Sequence, residues 1–174
     1  MNFILIETIK KFSDNRGFFC ETFKETEFKK LGIEKKFVQD NHSFSTKGVI
    51  RGLHYQWDKP MDKLVRVSSG QIMDVIVDIR KDSPTFGKHF KFILSSENNH
   101  QLYIPAGYAH GFVVLSSEAH VEYKCTEEYN KDGECGINPF DINLGIDWTL
   151  KEFLLSDKDK NSQSFLEYKQ NPKF

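Results

Sequence analysis

The chain has 174 residues, of which 39% are hydrophobic and 28% are charged. This size is typical of a single folding unit with its own core, and we predict one domain over residues 1–174. The 24 basic and 25 acidic residues nearly cancel, so no long-range field selects for nucleic acid or for an anionic membrane surface. We therefore expect a partner recognised by local contacts, and neither a nucleic acid nor a membrane.

The N-terminal residues and the cysteines predict a cytoplasmic location. The apolar run Phe3–Ile6 is too short for the core of a signal peptide or for a membrane span. Cys20, Cys125 and Cys135 contain no Cys-x-x-Cys pair. Their odd number fits a reducing compartment better than a disulfide framework, and we interpret them as packing or surface thiols.

A two-residue period in the middle of the chain predicts short β-strands. In residues 71–80, four apolar side chains share one face and two aspartates lie on the other. These are Met73, Val75, Val77 and Ile79 on the first face and Asp74 and Asp78 on the second. The period recurs in Lys88–Leu94 and in His120–Thr126. Turn-forming residues separate these segments, which is typical of an all-β sandwich or barrel.

Helical periodicity is scarce in this sequence. Lys24–Leu31 is predicted to form two turns that end at Gly32 in the left-handed conformation, and a weaker helical pattern covers Trp148–Leu155. The lysine-rich segment after Asp157 is expected to fray. Because neither helix could build a core, the functional residues are expected in the β-structure.

The most unusual local sequence is Gly48–Gln56, in which Arg51, His54 and Gln56 alternate with apolar residues. On a strand, His54 and Gln56 share a face. If that face lines the interior of a barrel, burial favours a neutral imidazole that can act as a general base near pH 7. A hydrogen-bonded structural histidine is the alternative, and an isolated histidine would favour it.

A second histidine, His110, lies in Pro105–Phe112, where a turn leads into an apolar strand. Histidines inside a barrel also raise the hypothesis of a metal site. Such sites need three or four closely arranged ligands, and they often begin with a His-x-His pair on one strand. The sequence contains no such pair, so we expect no metal and no cofactor, and we favour proton-transfer chemistry.

Eight motifs in a fixed order carry a family pattern over nearly the whole chain. They are Asp14–Glu21, Gln39–Ser43, Arg51–Gln56, Lys63–Val65, Asp74–Asp78, Ala109–Phe112, Tyr123–Lys124 and Ser156–Asp159. With these motifs the chain resembles the dTDP-4-dehydrorhamnose 3,5-epimerases. The resemblance implies an all-β, cupin-like jelly roll with a few short peripheral helices.

The resemblance also implies a metal-independent inversion at C3 and C5 of dTDP-4-dehydro-6-deoxy-D-glucose. His54 would act as the base, and Asp159 would hold the other ring nitrogen. Tyr123 would return a proton from the opposite side of the sugar, because inversion needs removal and delivery on different faces. Lys63 would stabilise the enolate oxygen.

The same resemblance assigns contacts to the nucleotide and the sugar. Phe19 and Tyr129 would stack on the base. The polar contacts would be Arg16, Glu21, Gln39, Asn41, Arg51, His110, Glu134 and Lys158. Arginine suits a diphosphate because its planar side chain donates two hydrogen bonds at once.

Three loops depart from the family pattern, at Pro60–Asp62, Ile137–Phe140 and Thr149, and they leave the exact sugar and nucleotide open. One alternative is an epimerase that acts at C3 only or C5 only, or on another nucleotide-linked 4-keto sugar such as a GDP-heptose. A more distant alternative is a non-catalytic, sugar-binding jelly roll. The family forms two-fold dimers in which an N-terminal strand can cross between subunits, so we expect a homodimer.

Overall fold

The computed structural model describes residues 2–7 and 10–174, which form two five-stranded sheets and a separate hairpin. The strands are β1 (Ile4–Ile6), β2 (Lys11–Asp14), β3 (Gly17–Cys20), β4 (Gln39–Thr46), β5 (Ile50–Gln56), β6 (Lys63–Ser69), β7 (Gln71–Asp78), β8 (His89–Ser95), β9 (Gln101–Ile104), β10 (Tyr108–Val114), β11 (Glu118–Cys125) and β12 (Glu134–Gly136). The helices are α1 (Glu25–Lys30), α2 (Asp157–Lys160) and α3 (Phe165–Gln170). Within the described ranges, no helix is long and apolar enough to cross a membrane.

The two large sheets pack face to face around an apolar core. The first sheet has the strand order β1-β9-β6-β11-β4 and the second has the order β12-β5-β10-β7-β8, while among the described residues β2 and β3 pair only with each other. Buried residues of both sheets form the core, including Val65, Leu102 and Val121 from the first and Ile72, Ile76 and Phe112 from the second. The predicted all-β sandwich with a few short helices is confirmed.

The second sheet is buried on its outer face as well. The apolar face predicted for residues 71–80 lies here, and the C-terminal part of the chain covers it. The residues in contact include Met73, Val75, Val77 and Ile79 from the sheet side and Trp148, Phe165 and Tyr168 from the covering segment. Burial on both faces explains why this strand is almost continuously apolar.

Other predicted elements agree with the structure to within one or two residues. β8 and β11 correspond to the segments predicted at Lys88–Leu94 and His120–Thr126. α1 lies within the predicted Lys24–Leu31. Gly32 follows with a φ of 79°, which is the left-handed conformation that glycine adopts at helix ends.

Two predictions for the C-terminal region are wrong. Residues 148–155 contain no helix, because Thr149 has a φ of 66° and Leu154 forms a parallel bridge to Val49. The segment after Asp157 packs against the second sheet, since Phe165 and Tyr168 are buried on one side of α3. Their three-residue spacing decides the packing, whereas the lysines that suggested fraying lie on the solvent side.

Candidate active site

A cleft of about 310 Å³ lies between the two sheets at one end of the sandwich. Strand ends of both sheets and two loops contribute side chains to it. The lining residues are Gln39, Asn41, Lys63, Tyr123 and Cys125 from the first sheet, His54, Tyr55, Gln56 and Glu134 from the second, and Met61 and Tyr129 from loops. The cleft therefore brings seven predicted site residues together: His54, Lys63, Tyr123, Gln39, Asn41, Tyr129 and Glu134.

His54 forms a short hydrogen bond with a buried carboxylate at the wall of the cleft. Its Nε2 lies 2.6 Å from Oδ1 of Asp159, and 29% of the His54 side chain is exposed. Burial would raise the pKa of Asp159, but hydrogen bonds from His54, Gly52 and Ser156 lower it. The ionised carboxylate accepts the Nε2–H group, so the lone pair of His54 lies on Nδ1.

Local backbone geometry places Asp159 beside this ring. Ser156 caps α2 by accepting a hydrogen bond from the Asp159 backbone N–H at 3.1 Å. Gly52 donates its backbone N–H to Oδ2 of Asp159 at 3.3 Å. Gly52 has a φ of 129°, and a Cβ there would lie 2.5 Å from Cα of Gly111. Only glycine therefore allows β5 and β10 to approach this closely beside the site.

Tyr123 reaches the cleft from the opposite sheet. It lies on β11, and its side chain is half-buried. Burial raises the pKa of the Tyr123 phenol, so the phenol stays protonated at neutral pH and can donate a proton. His54 lies on β5 of the second sheet, so the imidazole and the phenol line the cleft from different sheets.

Lys63 supplies a cation at the base of the cleft. It is the first residue of β6 and the cross-strand partner of Cys125. Burial lowers the pKa of the Lys63 ammonium, and Cys125, Asp74 and Glu134 oppose this effect. No hydrogen bond or ion pair engages this ammonium within residues 2–7 and 10–174, which leaves its N–H donors for a bound molecule.

His110 lies behind the cleft rather than on its surface. It is buried on β10, where it is the cross-strand partner of His54, and its Nε2 lies 2.8 Å from Oδ2 of Asp74. Burial lowers the pKa of His110, and Asp74 opposes this effect. Within the described chain, Oδ1 of Asp74 is buried without a hydrogen-bond partner. The structure thus places a second histidine–aspartate pair next to the first.

The rim of the cleft carries a polar network around an exposed aromatic ring. Tyr129 donates its hydroxyl to Glu134 at 2.7 Å, and Lys158 forms an ion pair with Glu134 at 2.5 Å. Gln39 accepts the Tyr129 backbone N–H at 2.8 Å and donates to Asn41 at 3.0 Å. More than half of the Tyr129 side chain remains exposed, so the ring offers a stacking surface.

Six predicted substrate contacts do not line the cleft of this chain, namely His110 and Lys158, described above, and Arg16, Phe19, Glu21 and Arg51. Arg16 is 85% exposed and pairs with Asp14, and Phe19 is 65% exposed. They belong to the β2–β3 hairpin, which pairs with neither large sheet, and Glu21 follows this hairpin. Arg51 donates instead to Ser45 at 3.0 Å and to the carbonyl of Phe44.

Several residues of the site were not predicted from the sequence. Cys125 and Met61 line the cleft, although Cys125 was interpreted as a packing or surface thiol and Met61 was noted only as part of the loop Pro60–Asp62 that departs from the family pattern. Asp74 carried a signal, because a carboxylate in an almost wholly apolar strand needs a buried partner. Gln56 holds the loop that carries Tyr129, donating to the carbonyl of Glu128 and accepting the backbone N–H of Asn130.

Residues 2–167 match the family model described as dTDP-4-dehydrorhamnose 3,5-epimerase. The chain belongs to this family. An epimerase of that name from Shigella flexneri is 52% identical over 166 residues, which cover 94% of this chain and 92% of that protein.

Solved structures of the family share the fold. The dTDP-6-deoxy-D-glucose-3,5-epimerase from Legionella pneumophila, in complex with dTDP-4-keto-L-rhamnose, is 45% identical with a TM-score of 0.89, covering 95% of this chain and 94% of that one. A 3'-monoepimerase from Streptomyces bikiniensis in complex with dTDP-quinovose is 31% identical with a TM-score of 0.91, covering 97% and 86%. The predicted family, enzyme class and cupin-like jelly roll are confirmed.

Proposed function

We propose that this chain inverts C3 and C5 of dTDP-4-dehydro-6-deoxy-D-glucose in the formation of dTDP-L-rhamnose or a related surface sugar. One observation carries the proposal: His54 and Tyr123 line a single cleft from opposite sheets, and Asp159 is bound to the imidazole. The relatives from Shigella flexneri and Legionella pneumophila are named for this reaction.

Proton removal falls to His54. The C4 ketone acidifies the C–H groups at C3 and C5, because the electrons left behind spread onto the ketone oxygen. The free lone pair on Nδ1 accepts the proton, and the His54 imidazolium then lies 2.6 Å from the Asp159 carboxylate. This contact stabilises the positive charge and keeps the ring in one tautomer and orientation.

Proton return falls to Tyr123 on the other side of the sugar ring. The phenol donates its proton to the enolate carbon, which forms the new C–H bond on the face opposite to the one that was broken. His54 then holds one extra proton and Tyr123 lacks one. Because the His54 ring is partly exposed, exchange with water can restore both groups before the second carbon reacts.

Lys63 stabilises the charge that develops on the ketone oxygen. Its ammonium lines the same cleft and is not engaged by the described residues. A preorganised donor at a developing oxyanion contributes about 3 kcal/mol to the transition state. Burial strengthens this interaction, because the surrounding protein screens charge less than water does.

Tyr129, Gln39, Asn41, Glu134 and Lys158 are placed to bind the nucleotide half of the substrate. The exposed ring of Tyr129 can stack on the base, and the Lys158 cation can contact the diphosphate. The free thiols of the chain support a cytoplasmic location, because an oxidising compartment would favour disulfides.

We also propose a homodimer in which the β2–β3 hairpin reaches the cleft of the second copy. Phe12, Phe18 and Phe19 are exposed on this hairpin, and three exposed aromatic rings on one short hairpin are typical of an interface. Arg16, Phe19 and Glu21 would then contact the substrate of the partner subunit, although they are absent from the cleft of their own chain.

Isotope exchange tests the proposed reaction. The enzyme is incubated with dTDP-4-dehydro-6-deoxy-D-glucose in heavy water, and deuterium at each sugar carbon is measured by NMR. The proposal predicts deuterium at both C3 and C5 together with inverted configuration. Absence of exchange at both carbons would contradict it and would favour a sugar-binding protein.

Inversion at C3 alone is the second candidate function. The similarity to the 3'-monoepimerase from Streptomyces bikiniensis favours it, although that protein is less similar in sequence than the 3,5-epimerases. Deuterium at C3 with none at C5 would identify this activity. Exchange in a GDP-linked 4-keto heptose, with none in the dTDP sugar, would identify the other alternative.

A further inference from the structure

A buried carboxylate lies immediately before Lys63 in the chain but outside the cleft. Asp62 is only 2% exposed, and it occupies a loop that departs from the family pattern. Its side chain points away from the cleft into a separate set of hydrogen bonds. A buried charge is costly unless it is fully paired, so these contacts define what Asp62 does.

Asp62 connects segments that are far apart in the sequence. Its Oδ1 accepts hydrogen bonds from Lys35 Nζ and from the Ala106 backbone N–H, each at 2.9 Å, and its Oδ2 accepts the hydroxyl of Tyr103. Burial and the Asp62 charge raise the pKa of Tyr103, so this hydroxyl remains a donor. The carboxylate thus ties two segments, Lys35 and residues 103–106, to the start of β6.

The backbone of Asp62 adds a third connection, to the end of β11. Its N–H donates to Oγ1 of Thr126 at 2.8 Å, and its carbonyl accepts the Thr126 N–H at 3.1 Å. Thr126 follows Cys125, which is the cross-strand partner of Lys63. The main chain directly before Lys63 is therefore fixed at the point where the loop 57–62 enters the sheet.

The same contacts of Asp62 fix the wall against which the Lys63 side chain lies. Lys63 and Ala106 line one small cavity of about 10 Å³ behind the cleft, together with Met61 and Pro105. This volume is at the lower limit for one water molecule. Movement of the Ala106 backbone would open space beside the Lys63 side chain, which has no ion pair of its own within the described residues.

We propose that Asp62 is a positioning residue that holds the Lys63 ammonium at the C4 oxygen of the substrate. The inference rests on the proposed function, because it assigns Lys63 to the enolate. Asp62 touches neither substrate nor reacting atoms. It acts through the backbone of Lys63 and through the wall formed by Ala106, and the loss of its charge displaces the ammonium.

The test is a double-mutant cycle between Asp62→Asn and Lys63→Met, with kcat, KM and the Kd for dTDP as readouts. Asp62→Asn should lower kcat between about tenfold and a hundredfold, as small misplacements of catalytic groups do. KM and the dTDP Kd should stay within about twofold, because the nucleotide contacts lie at the rim. In the Lys63→Met background, Asp62→Asn should have no further effect on the residual rate.

A purely structural role gives a different pattern. The inference would be wrong if Asp62→Asn lowered the residual rate of Lys63→Met by the same factor by which it lowers the wild-type rate. It would also be wrong if Asp62→Asn raised the Kd for dTDP by the same factor by which it lowers kcat. The exposed Asp82→Asn is the matched control and should match the wild type. Dividing each rate by the number of dTDP-binding sites removes the contribution of unfolded protein.

A second variant covers the case in which Asp62→Asn does not fold. Tyr103→Phe removes one donor to the carboxylate and leaves the charge in place. It should lower kcat by about threefold to tenfold in the wild type and have no effect in the Lys63→Met background. Equal effects in both backgrounds would overturn the inference. Deuterium exchange at C3 and C5 by the wild-type enzyme is measured first. Its absence would mean that the proposed function is wrong, whereas normal exchange together with equal effects in both backgrounds would mean that only this inference is wrong.

Discussion

His54 and Tyr123 stand on different sheets of the sandwich, and their side chains line the same cleft. A sugar ring bound between them presents one face to each sheet. In the proposed reaction the imidazole accepts a proton and the phenol donates one, so proton removal and proton return would take place at different sheets. This separation distinguishes an epimerase from a protein that only exchanges protons.

The Asp159 carboxylate should support catalysis by orienting His54. Asp159→Asn places an amide beside Nε2 and removes the charge that stabilises the imidazolium, so kcat should fall by about 10² to 10⁴. The Kd for dTDP should remain unchanged, because Asp159 lies behind the imidazole. Isothermal titration with dTDP and steady-state rates check both values. A variant with normal kcat would show that the 2.6 Å contact is only structural.

The alkaline limb of the pH–rate profile should report Lys63. Burial lowers the pKa of Lys63 from the ordinary 10.5. As the pH rises, the Lys63 ammonium therefore loses its proton and its charge before an exposed lysine would. The pKa of Tyr123 is raised from 10.0, so the phenol loses its proton only at a higher pH than Lys63 does. Lys63→Arg keeps its charge throughout and should move the limb to higher pH, whereas the exposed Lys88→Arg should not. An unmoved limb in Lys63→Arg would assign it to another group.

Asp78 should contribute to stability in a pH-dependent way. Burial would raise the pKa of Asp78, but hydrogen bonds from Arg80, Ser83 and Thr85 lower it from 3.8 to about 2. The ionised group therefore stabilises the fold above pH 3.8 by about 2 kcal/mol, and this contribution is lost as the pH falls towards 2.

Urea unfolding of Asp78→Asn checks this contribution. The loss in free energy of unfolding should be about 2 kcal/mol or more at pH 7 and should shrink steadily below pH 3.8. The exposed Asp132→Asn serves as the control and should unfold like the wild type. An equal loss at pH 7 and pH 2.5 would show that the charge of Asp78 is not the source of the stability.

The β2–β3 hairpin should contribute to dTDP binding in the cleft of the second copy. Phe19→Ala should raise the Kd for dTDP about tenfold, because stacking on a base is worth about 1–3 kcal/mol. Ile142→Ala, which removes an exposed apolar side chain outside the hairpin, is the control and should bind dTDP normally. Dimers are verified by light scattering for each variant.

Mixed dimers separate this arrangement from an effect within one chain. A subunit with Phe19→Ala keeps His54, and a partner with His54→Asn supplies an intact Phe19. A mixture of the two variants should therefore be more active at low substrate concentration than either variant alone. If mixing gave no gain in activity, the hairpin would not complete the cleft of its partner.

Local patterns in the sequence predicted much of the sandwich. The two-residue period identified β7, β8 and β11, because alternation along one strand depends only on neighbouring residues. The same reasoning failed for residues 148–155, where the left-handed Thr149 and contacts with the second sheet override a weak helical pattern. α3 was missed because its burial depends on a sheet that precedes it by many residues.

The site depends on long-range contacts that no local pattern reveals. His54 and Asp159 are 105 positions apart, and the partnership between them was predicted from family resemblance rather than from periodicity. The hydrogen bonds of Asp62 join segments around residues 35, 103, 106 and 126. Such a cluster forms only when both sheets are paired in register, so neither composition nor spacing could indicate it.

The most direct test of the central claim is to separate proton exchange from inversion with Tyr123→Phe and His54→Asn in heavy water. In Tyr123→Phe, His54 can still remove a proton and return a deuteron to the same face, so deuterium should enter the sugar while the configuration is retained. His54→Asn should lose exchange at both carbons. Inversion by Tyr123→Phe at the wild-type rate, or continued exchange in His54→Asn, would contradict the account.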